Sequence, residues 1–206
     1  PSNPILILNS TDSLQLNYTN ENLICNFLCN DFDISDTLAY DIYWYKNGAY
    51  NQSYLSQSCS NSEYINFVLD SINTSKGEVW SCSVNMTDNN GLSSSTVISD
   101  NLIINNYPPI ANGSLDNVTQ SEDFSLLGDL ISVFDFNANF TDIDEGETTP
   151  SSYTIISQTN SSTSCYLDAS NNLDCSSVAN ASGTDLYTFE LNDSDLESIR
   201  FDWQIV

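Results

Sequence analysis

Short runs of carboxylates are the residues of this chain best placed to do chemistry. Asp142, Asp144, Glu145 and Glu147 form one run, Asp193, Asp195 and Glu197 a second, and Asp31, Asp33, Asp36 and Asp88 recur in the same manner earlier on. All sit in stretches that read as turns. No histidine is present, which removes Ser-His-Asp triads, His-assisted nucleophiles and His-bearing metal centres. Carboxylates converging without nearby bases suit calcium, which takes about six to eight oxygens at roughly 2.3–2.6 Å. The calcium candidates are Asp142, Asp144, Asp193 and Asp195, with help from Glu122 or Asp123. The same residues also read as solvated acidic turns, since no complete ligand set can be read off. A carboxylate pair would suffice for a glycosidase, but no further element is left over to build a cleft, so the chain is expected not to be an enzyme.

The charge balance narrows the partners. The formal net charge of −25 comes from 28 acids against three cations, namely Lys46, Lys76 and Arg200. Nucleic-acid binding requires several Lys or Arg against phosphates and is excluded; acidic membrane surfaces fail for the same reason. No apolar run approaches the ~18–20 residues of a membrane span, so no direct membrane insertion is expected. No signal peptide opens the chain, so a signal or anchor is expected to have been removed or to lie outside it. The six cysteines show neither metal-type spacing nor a histidine to complete a zinc site, which points to three disulfides in an oxidising compartment. Eleven Asn-x-Ser/Thr sequons point the same way: Asn9, Asn17, Asn51, Asn73, Asn85, Asn112, Asn117, Asn139, Asn160, Asn180 and Asn192. Their spread through both halves implies a glycosylated exterior.

The elements that position these groups read as strands. Residues 4–9 form a short apolar strand, and Leu14, Leu16 and Tyr18 alternate in a second. Leu23, Cys25, Phe27 and Cys29 share one parity, as do Ile42 and Trp44 in the strand that turns at Asn47-Gly48. Ile65, Phe67 and Leu69 follow, then Trp80, Cys82, Val84 and Met86. Residues 93–104 supply a last strand, and Asn105-Asn-Tyr-Pro-Pro109 ends it, because paired prolines cannot donate to a ladder. The boundary falls there, giving domains 1–107 and 108–206, each near the ~100 residues of a β-sandwich. The second half restarts with strands over 124–130, 131–136 and 153–157. Cys165 to Cys175 is symmetric about Ser170 and reads as a hairpin pairing Leu167 with Leu173 and Cys165 with Cys175, clamped by a disulfide. Tyr187, Phe189 and Leu191 alternate, as do Ile199, Phe201, Trp203 and Ile205.

Cys25, then Trp44, then Trp80-Ser-Cys82 resembles the frame of an immunoglobulin-like sandwich. Asn22-Leu-Ile-Cys25, Asp31-Phe-Asp33, Trp44-Tyr-Lys-Asn-Gly48, Gly77-Glu-Val-Trp-Ser-Cys82 and Asp88-Asn-Asn-Gly-Leu-Ser93 are similar to the Ig-like and polycystic-kidney-disease-type repeats of microbial, especially archaeal, surface proteins. The chain departs from antibody-type domains in carrying Trp80 where tyrosine is usual. Ser121-Glu-Asp123, Thr141-Asp-Ile-Asp144, Ser182-Gly-Thr184 and Leu191-Asn-Asp-Ser-Asp195 resemble bacterial and archaeal cadherin-like repeats. The resemblance implies an all-β chain of two tandem immunoglobulin-like β-sandwich domains. It further implies that Cys25 bridges Cys82 between the sheets, which leaves Cys29 to Cys59, and that the two acidic loops of the second domain share the end facing the 105–109 linker.

The resemblance also implies a structural or adhesive role at the cell surface. The first expectation is a structural subunit of an extracellular, glycosylated assembly: a filament, pilus-like fibre or surface layer. The alternative is an adhesin or stalk module that binds a partner or glycan, and a surface hydrolase is a distant third. The expected partners are copies of the chain in a head-to-tail polymer and covalent N-glycans; no cofactor is required beyond the candidate calcium. For joining subunits, Ile5, Leu6, Ile7 and Leu8 are an apolar segment that could add as a strand to the 199–206 edge of a neighbour. The same segment also reads as an ordinary first strand of its own domain.

Overall fold

The computed structural model describes residues 1–111, 125–126, 140–144, 152–160, 162–167, 173–177, 183–194 and 198–205. The chain is all-β and divides into two units, Pro1–Asn106 and Tyr107–Val206.

In the first unit the strands are β1 Ile7–Ser10, β2 Leu23–Cys29, β3 Leu38–Lys46, β4 Ala49–Cys59, β5 Glu63–Leu69, β6 Val79–Asp88, β7 Val97–Ile98 and β8 Leu102–Ile103. One sheet runs β1-β2-β5; the other runs β4-β3-β6-β7, with β8 also pairing β6. Strict alternation decides which side chains meet between them. Leu23, Cys25, Phe27 and Cys29 from β2 face Leu38, Tyr40, Ile42 and Trp44 from β3 and Trp80, Cys82, Val84 and Met86 from β6, all buried. Each large apolar side chain in such a core stabilises the fold by about 1.5–3 kcal/mol. Trp44 lies directly opposite Cys82 in the ladder, and Cys82 is bonded to Cys25 of the other sheet. Trp44 and Trp80 meet edge to face with centroids 6.4 Å apart. The β3–β4 hairpin turns at Asn47 (φ 52°) and Gly48 (φ 76°), the paired positive φ of a type I′ turn that suits the right-handed twist of the strands.

Three local features differ from the pattern of alternation. No strand passes through Leu14, Leu16 and Tyr18: the Asp12 carboxylate accepts the Leu14 and Leu16 backbone N–H groups at 3.0 and 2.8 Å. Gln15 and Asn17 there take positive φ, and only an isolated bridge from Tyr18 to Asn105 remains. The strand expected over 93–104 is split into β7 and β8, because Ser99 replaces a ladder residue. Its Oγ accepts the Cys82 N–H at 3.1 Å and its own N–H reaches the Cys82 carbonyl. β4, the longest strand, carries polar and exposed side chains with no clean alternation, and no strand was expected there.

In the second unit the strands are β9 Ile110–Ala111, β10 Ser125–Leu126, β11 Phe140–Thr141, β12 Ser152–Gln158, β13 Thr163–Leu167, β14 Leu173–Ser177, β15 Asp185–Asn192 and β16 Ser198–Ile205. They form antiparallel sheets ordered β10-β14-β13, β11-β9 and β12-β15-β16. Tyr153, Cys175, Tyr187, Phe189 and Leu191 are buried. The hairpin of β13 and β14 sets Cys165 opposite Cys175 and Leu167 opposite Leu173. Of the strands expected over 124–130 and 131–136, residues 125–126 form β10 and the rest lie outside the described residues.

Candidate functional site

One end of the first unit gathers the acidic groups. Residues 30–37 connect β2 to β3, and 89–96 connect β6 to β7; hydrogen bonds tie these two loops together. Asn90 Nδ2 donates to both Asp36 oxygens at 3.1 and 3.0 Å, Thr37 N donates to Asn89 Oδ1 at 3.3 Å, and Asn89 N reaches the Thr37 carbonyl. Asp88, the last residue of β6, accepts Asn90 N and Leu92 N on Oδ1 at 2.9 and 2.8 Å, closing the turn in which Gly91 takes φ 82°. Asn61 fixes the other side, accepting the Asp31 N–H and donating to the Asp31 carbonyl. Asp31, Asp36 and Asp88 thereby each bring an oxygen within 4.8 Å of the others. Asp33 is exposed beside them; its N–H donates to Asp31 Oδ1.

The electrostatics reflect this crowding. Burial, then the Asp33 charge and further those of Asp88 and Asp31, push the Asp36 carboxyl above its ordinary range, against the Asn90 hydrogen bond. Asp31 moves the other way: the Asp33 N–H, then the Pro1 amino group 3.1 Å from Oδ2, hold it low against burial. A groove of about 440 Å³ opens alongside, lined among others by Thr37, Asp41, Ser58, Thr87 and Asn89. Apolar tips flank the acids: Phe32, Ile34 and Leu92 are 100%, 87% and 66% exposed.

In the second unit Asp142 and Asp144 follow β11 and Asp193 follows β15; all three are buried. Asp142 Oδ1 accepts the Asp144 N–H at 3.0 Å, and Asp144 Oδ2 accepts the Tyr107 N–H at 2.9 Å, so Asp142 organises its own loop and Asp144 ties that loop to the backbone at Tyr107. They do not form a trio of the kind made by Asp31, Asp36 and Asp88 among the described residues. Glu122, Asp123, Glu145, Glu147, Asp195 and Glu197 lie outside those residues.

A second network has no counterpart in the sequence reading. Glu78 is nearly buried; its carboxylate accepts the Trp80 indole N–H at 2.9 Å and the Ser75 N–H at 3.0 Å. The Lys46 ammonium pairs with its other oxygen and stands 5.9 Å from the Trp80 ring centroid. The signal was present in the parity: Glu78 shares the inward register of Trp80, where an acid requires partners. Burial pushes the Glu78 carboxyl up, but the Lys46, Trp80 and Ser75 hydrogen bonds outweigh it and hold it low. A depressed acid contributes stability above the ordinary carboxylate value of about 4.3 and loses it as pH falls through the lower folded value. Glu78→Gln is therefore expected to cost roughly 1.5–3 kcal/mol at pH 7 and to flatten the loss of stability below about pH 4. Urea titrations of both proteins across pH 3–7 check this; parallel curves would contradict it.

The three disulfides are Cys25–Cys82, Cys29–Cys59 and Cys165–Cys175. A chain so bridged matures in an oxidising compartment or outside the cell. Among the described residues no helix is long and apolar enough to cross a membrane. Of the sequons, Asn51, Asn73 and Asn160 are exposed, while Asn9, Asn17, Asn85 and Asn192 are half-buried; Asn112, Asn117, Asn139 and Asn180 lie outside the described residues. The expectation that Ile5, Leu6, Ile7 and Leu8 are free for a neighbouring copy is corrected. β1 pairs with β2 in its own unit, Ile7 opposite Asn26 and Leu8 opposite Cys25. Leu6 and Leu8 pack on the core, and Ile5 and Ile7 turn outward.

No family model and no curated protein matches the chain. Among solved structures it is similar to Drosophila OTK, extracellular domains 3–5, at 11% identity and TM-score 0.27, covering 89% of this chain and 58% of that one. It is also similar to the Bacteroides ovatus mixed-linkage glucan utilization locus protein SGBP-B in complex with a mixed-linkage heptasaccharide, at 11% identity and TM-score 0.20, covering 99% and 47%. The chain thus spans about half the length of these two structures.

Proposed function

We propose that the chain is a non-catalytic structural module of an extracellular, glycosylated cell-surface assembly, a filament or surface layer, with further copies of itself in head-to-tail contact as partner. The observation that carries the reading is the disulfide-stapled β-sandwich of the first unit, in which Cys25–Cys82 and Cys29–Cys59 each tie the β2 sheet to the β3–β4–β6 sheet. Such cross-links suit a part that must survive outside the cell without chaperones. The sequons support a glycan sheath over exposed strand edges. Electron microscopy of the native material tests the reading: fibres or a lattice containing this chain support it, and dispersed single particles would refute it.

The second reading, an adhesin or stalk module, is favoured by the exposed Phe32, Ile34 and Leu92 at the acidic end of the first unit. Phe32→Ser with Ile34→Ser would abolish attachment to a target surface under that reading and leave assembly intact.

Calcium is proposed for Asp31, Asp36 and Asp88, where it would offset the burial, and after it the charges of Asp33, Asp88 and Asp31, that raise Asp36. Raising a carboxyl in the fold costs stability once pH passes the ordinary carboxylate range, so a cation is expected to act at neutral pH and not below pH 4. Millimolar calcium is expected to raise Tm by several degrees, and Asp36→Asn to remove the response. Identical melting curves in calcium and in chelator would end the idea.

A further inference from the structure

We propose that the outward face of the β4-β3-β6 sheet is a saccharide platform, seating the first rings of an N-glycan carried by Asn51 on Tyr43, Tyr45 and Tyr50. The proposal rests on the glycoprotein reading above and adds to it where one glycan lies and what it covers.

Alternation along β3 puts Ile42 and Trp44 into the core and therefore Asp41, Tyr43 and Tyr45 on the opposite face. The registers extend that face sideways. Ser53, Tyr43, Ser83 and Ile98 lie in one cross-strand row, and Tyr50, Tyr45 and Ser81 in the next. Hydroxyl groups link the rings: Tyr50 Oη and Ser53 Oγ are 3.0 Å apart, and Ser83 Oγ donates to Tyr45 Oη at 3.4 Å. Tyr50 is 61% exposed and Ile98 60%, Tyr43 and Tyr45 are half-buried, and Ser81 and Ser83 lie buried beneath them, so one tyrosine and an apolar margin are open to solvent and two further rings are partly so. Burial, then Asp41, Tyr45 and Tyr50, raise the Tyr43 hydroxyl above its ordinary value, in keeping with this crowding.

The face has the chemistry of a sugar seat. A pyranose offers a patch of C–H groups on its ring face and hydroxyls around its rim; tyrosines match the first with their π faces and the second with their hydroxyls. Lys46, Lys76 and Arg200 all lie outside these rows, which favours a neutral saccharide over an anionic ligand.

The register also says which saccharide. Gln52 opposes Trp44 while Tyr50 opposes Tyr45, so Asn51 is an unopposed bulge residue in β4. Bulges re-aim a side chain out of the ladder, and that of Asn51 is exposed. Its sequon is closed by Ser53, the residue whose hydroxyl meets Tyr50. A glycan leaving Asn51 starts one residue from Tyr50 and one strand from Tyr45, within reach of the platform. Asn85 carries a second sequon on the same face, opposite Asp41 and one row beyond Tyr43 and Ser83. A protein partner docking here would have to accommodate both.

The experiment compares wild type, Asn51→Gln and Asn73→Gln, all purified from a glycosylating host that adds the native sugars. Mass spectrometry of the peptide bearing Asn51 is followed by timed chemical nitration of tyrosines, mapped by peptide. With Asn51 occupied, Tyr43, Tyr45 and Tyr50 are expected to react several-fold more slowly in wild type and Asn73→Gln than in Asn51→Gln. Tyr64, 77% exposed on the other sheet, should react equally in all three. Equal reactivity of the three tyrosines in every protein, with Asn51 occupied, overturns the seat while leaving glycosylation standing. Protection that persists in Asn51→Gln overturns it in favour of another occupant. An unmodified Asn51 overturns the proposal through its premise, and the mass alone distinguishes that outcome.

Discussion

Replacing Cys25 and Cys82 together by alanine is expected to remove about 4 kcal/mol from the stability of the first unit. The two residues are 57 apart in sequence, and cross-linking a loop of that length takes about this much free energy of chain entropy away from the unfolded state. The native state loses as well, since both sulfurs are fully buried between the sheets against Trp44 and Trp80. For a unit of this size the loss corresponds to a fall of roughly 15–30 °C in Tm, a large share of a typical total of about 5–15 kcal/mol. The Cys29–Cys59 loop, 30 residues apart, predicts a somewhat smaller loss of about 3.5 kcal/mol. Calorimetry on the two alanine pairs checks the order; a larger loss from Cys29–Cys59 would mean that Cys25–Cys82 is not the central staple.

Trp44→Ala is expected to cost about 3–5 kcal/mol, as for other buried aromatic residues whose neighbours cannot collapse into the space. The neighbours here are held by the ladder on both sides of β3 and by the disulfide opposite. Trp44→Phe should be far milder. The Trp44 indole N–H is buried without a hydrogen-bond partner, and leaving a donor unmade costs about 1–3 kcal/mol. Phenylalanine removes that donor while keeping most of the ring, so the penalties offset and a change within about 1 kcal/mol is expected. Denaturant titration of both variants measures the gap; a loss from Trp44→Phe as large as that from Trp44→Ala would show that the indole N–H is satisfied and that its interaction, not ring volume, decides.

The first unit is legible because its strands are half-buried. Leu23-Ile-Cys25-Asn-Phe27 and Ile42-Tyr-Trp44 alternate so regularly that parity alone separates core from surface. β4 was illegible for the converse reason: as the outer strand of its sheet it packs little, so nothing forces its residues to alternate. Leu14 and Leu16 misled because alternation over so short a span is weaker than the local pull of Asp12 on two backbone N–H groups. In the acidic end, the carboxylates could be named from sequence. Their convergence depends on Asn61 and Asn90, which come from other loops at separations of 30 and 54 residues. Side-chain amides in loops announce no partner. The segment 5–8 shows the same limit: four apolar residues predict burial, but whether in this unit or another is decided by pairing with β2.

The proposed module is an extracellular sandwich sealed by disulfides and clothed in glycan. Non-reducing peptide mapping of the chain from its native source tests it most directly. The predicted result is a linked pair of peptides bearing Cys25 and Cys82, a second bearing Cys29 and Cys59, and hexose-containing mass additions on the exposed sequons Asn51, Asn73 and Asn160. Free thiols at these positions, Cys25 linked to Cys59, or unmodified asparagine at all three sequons would contradict it.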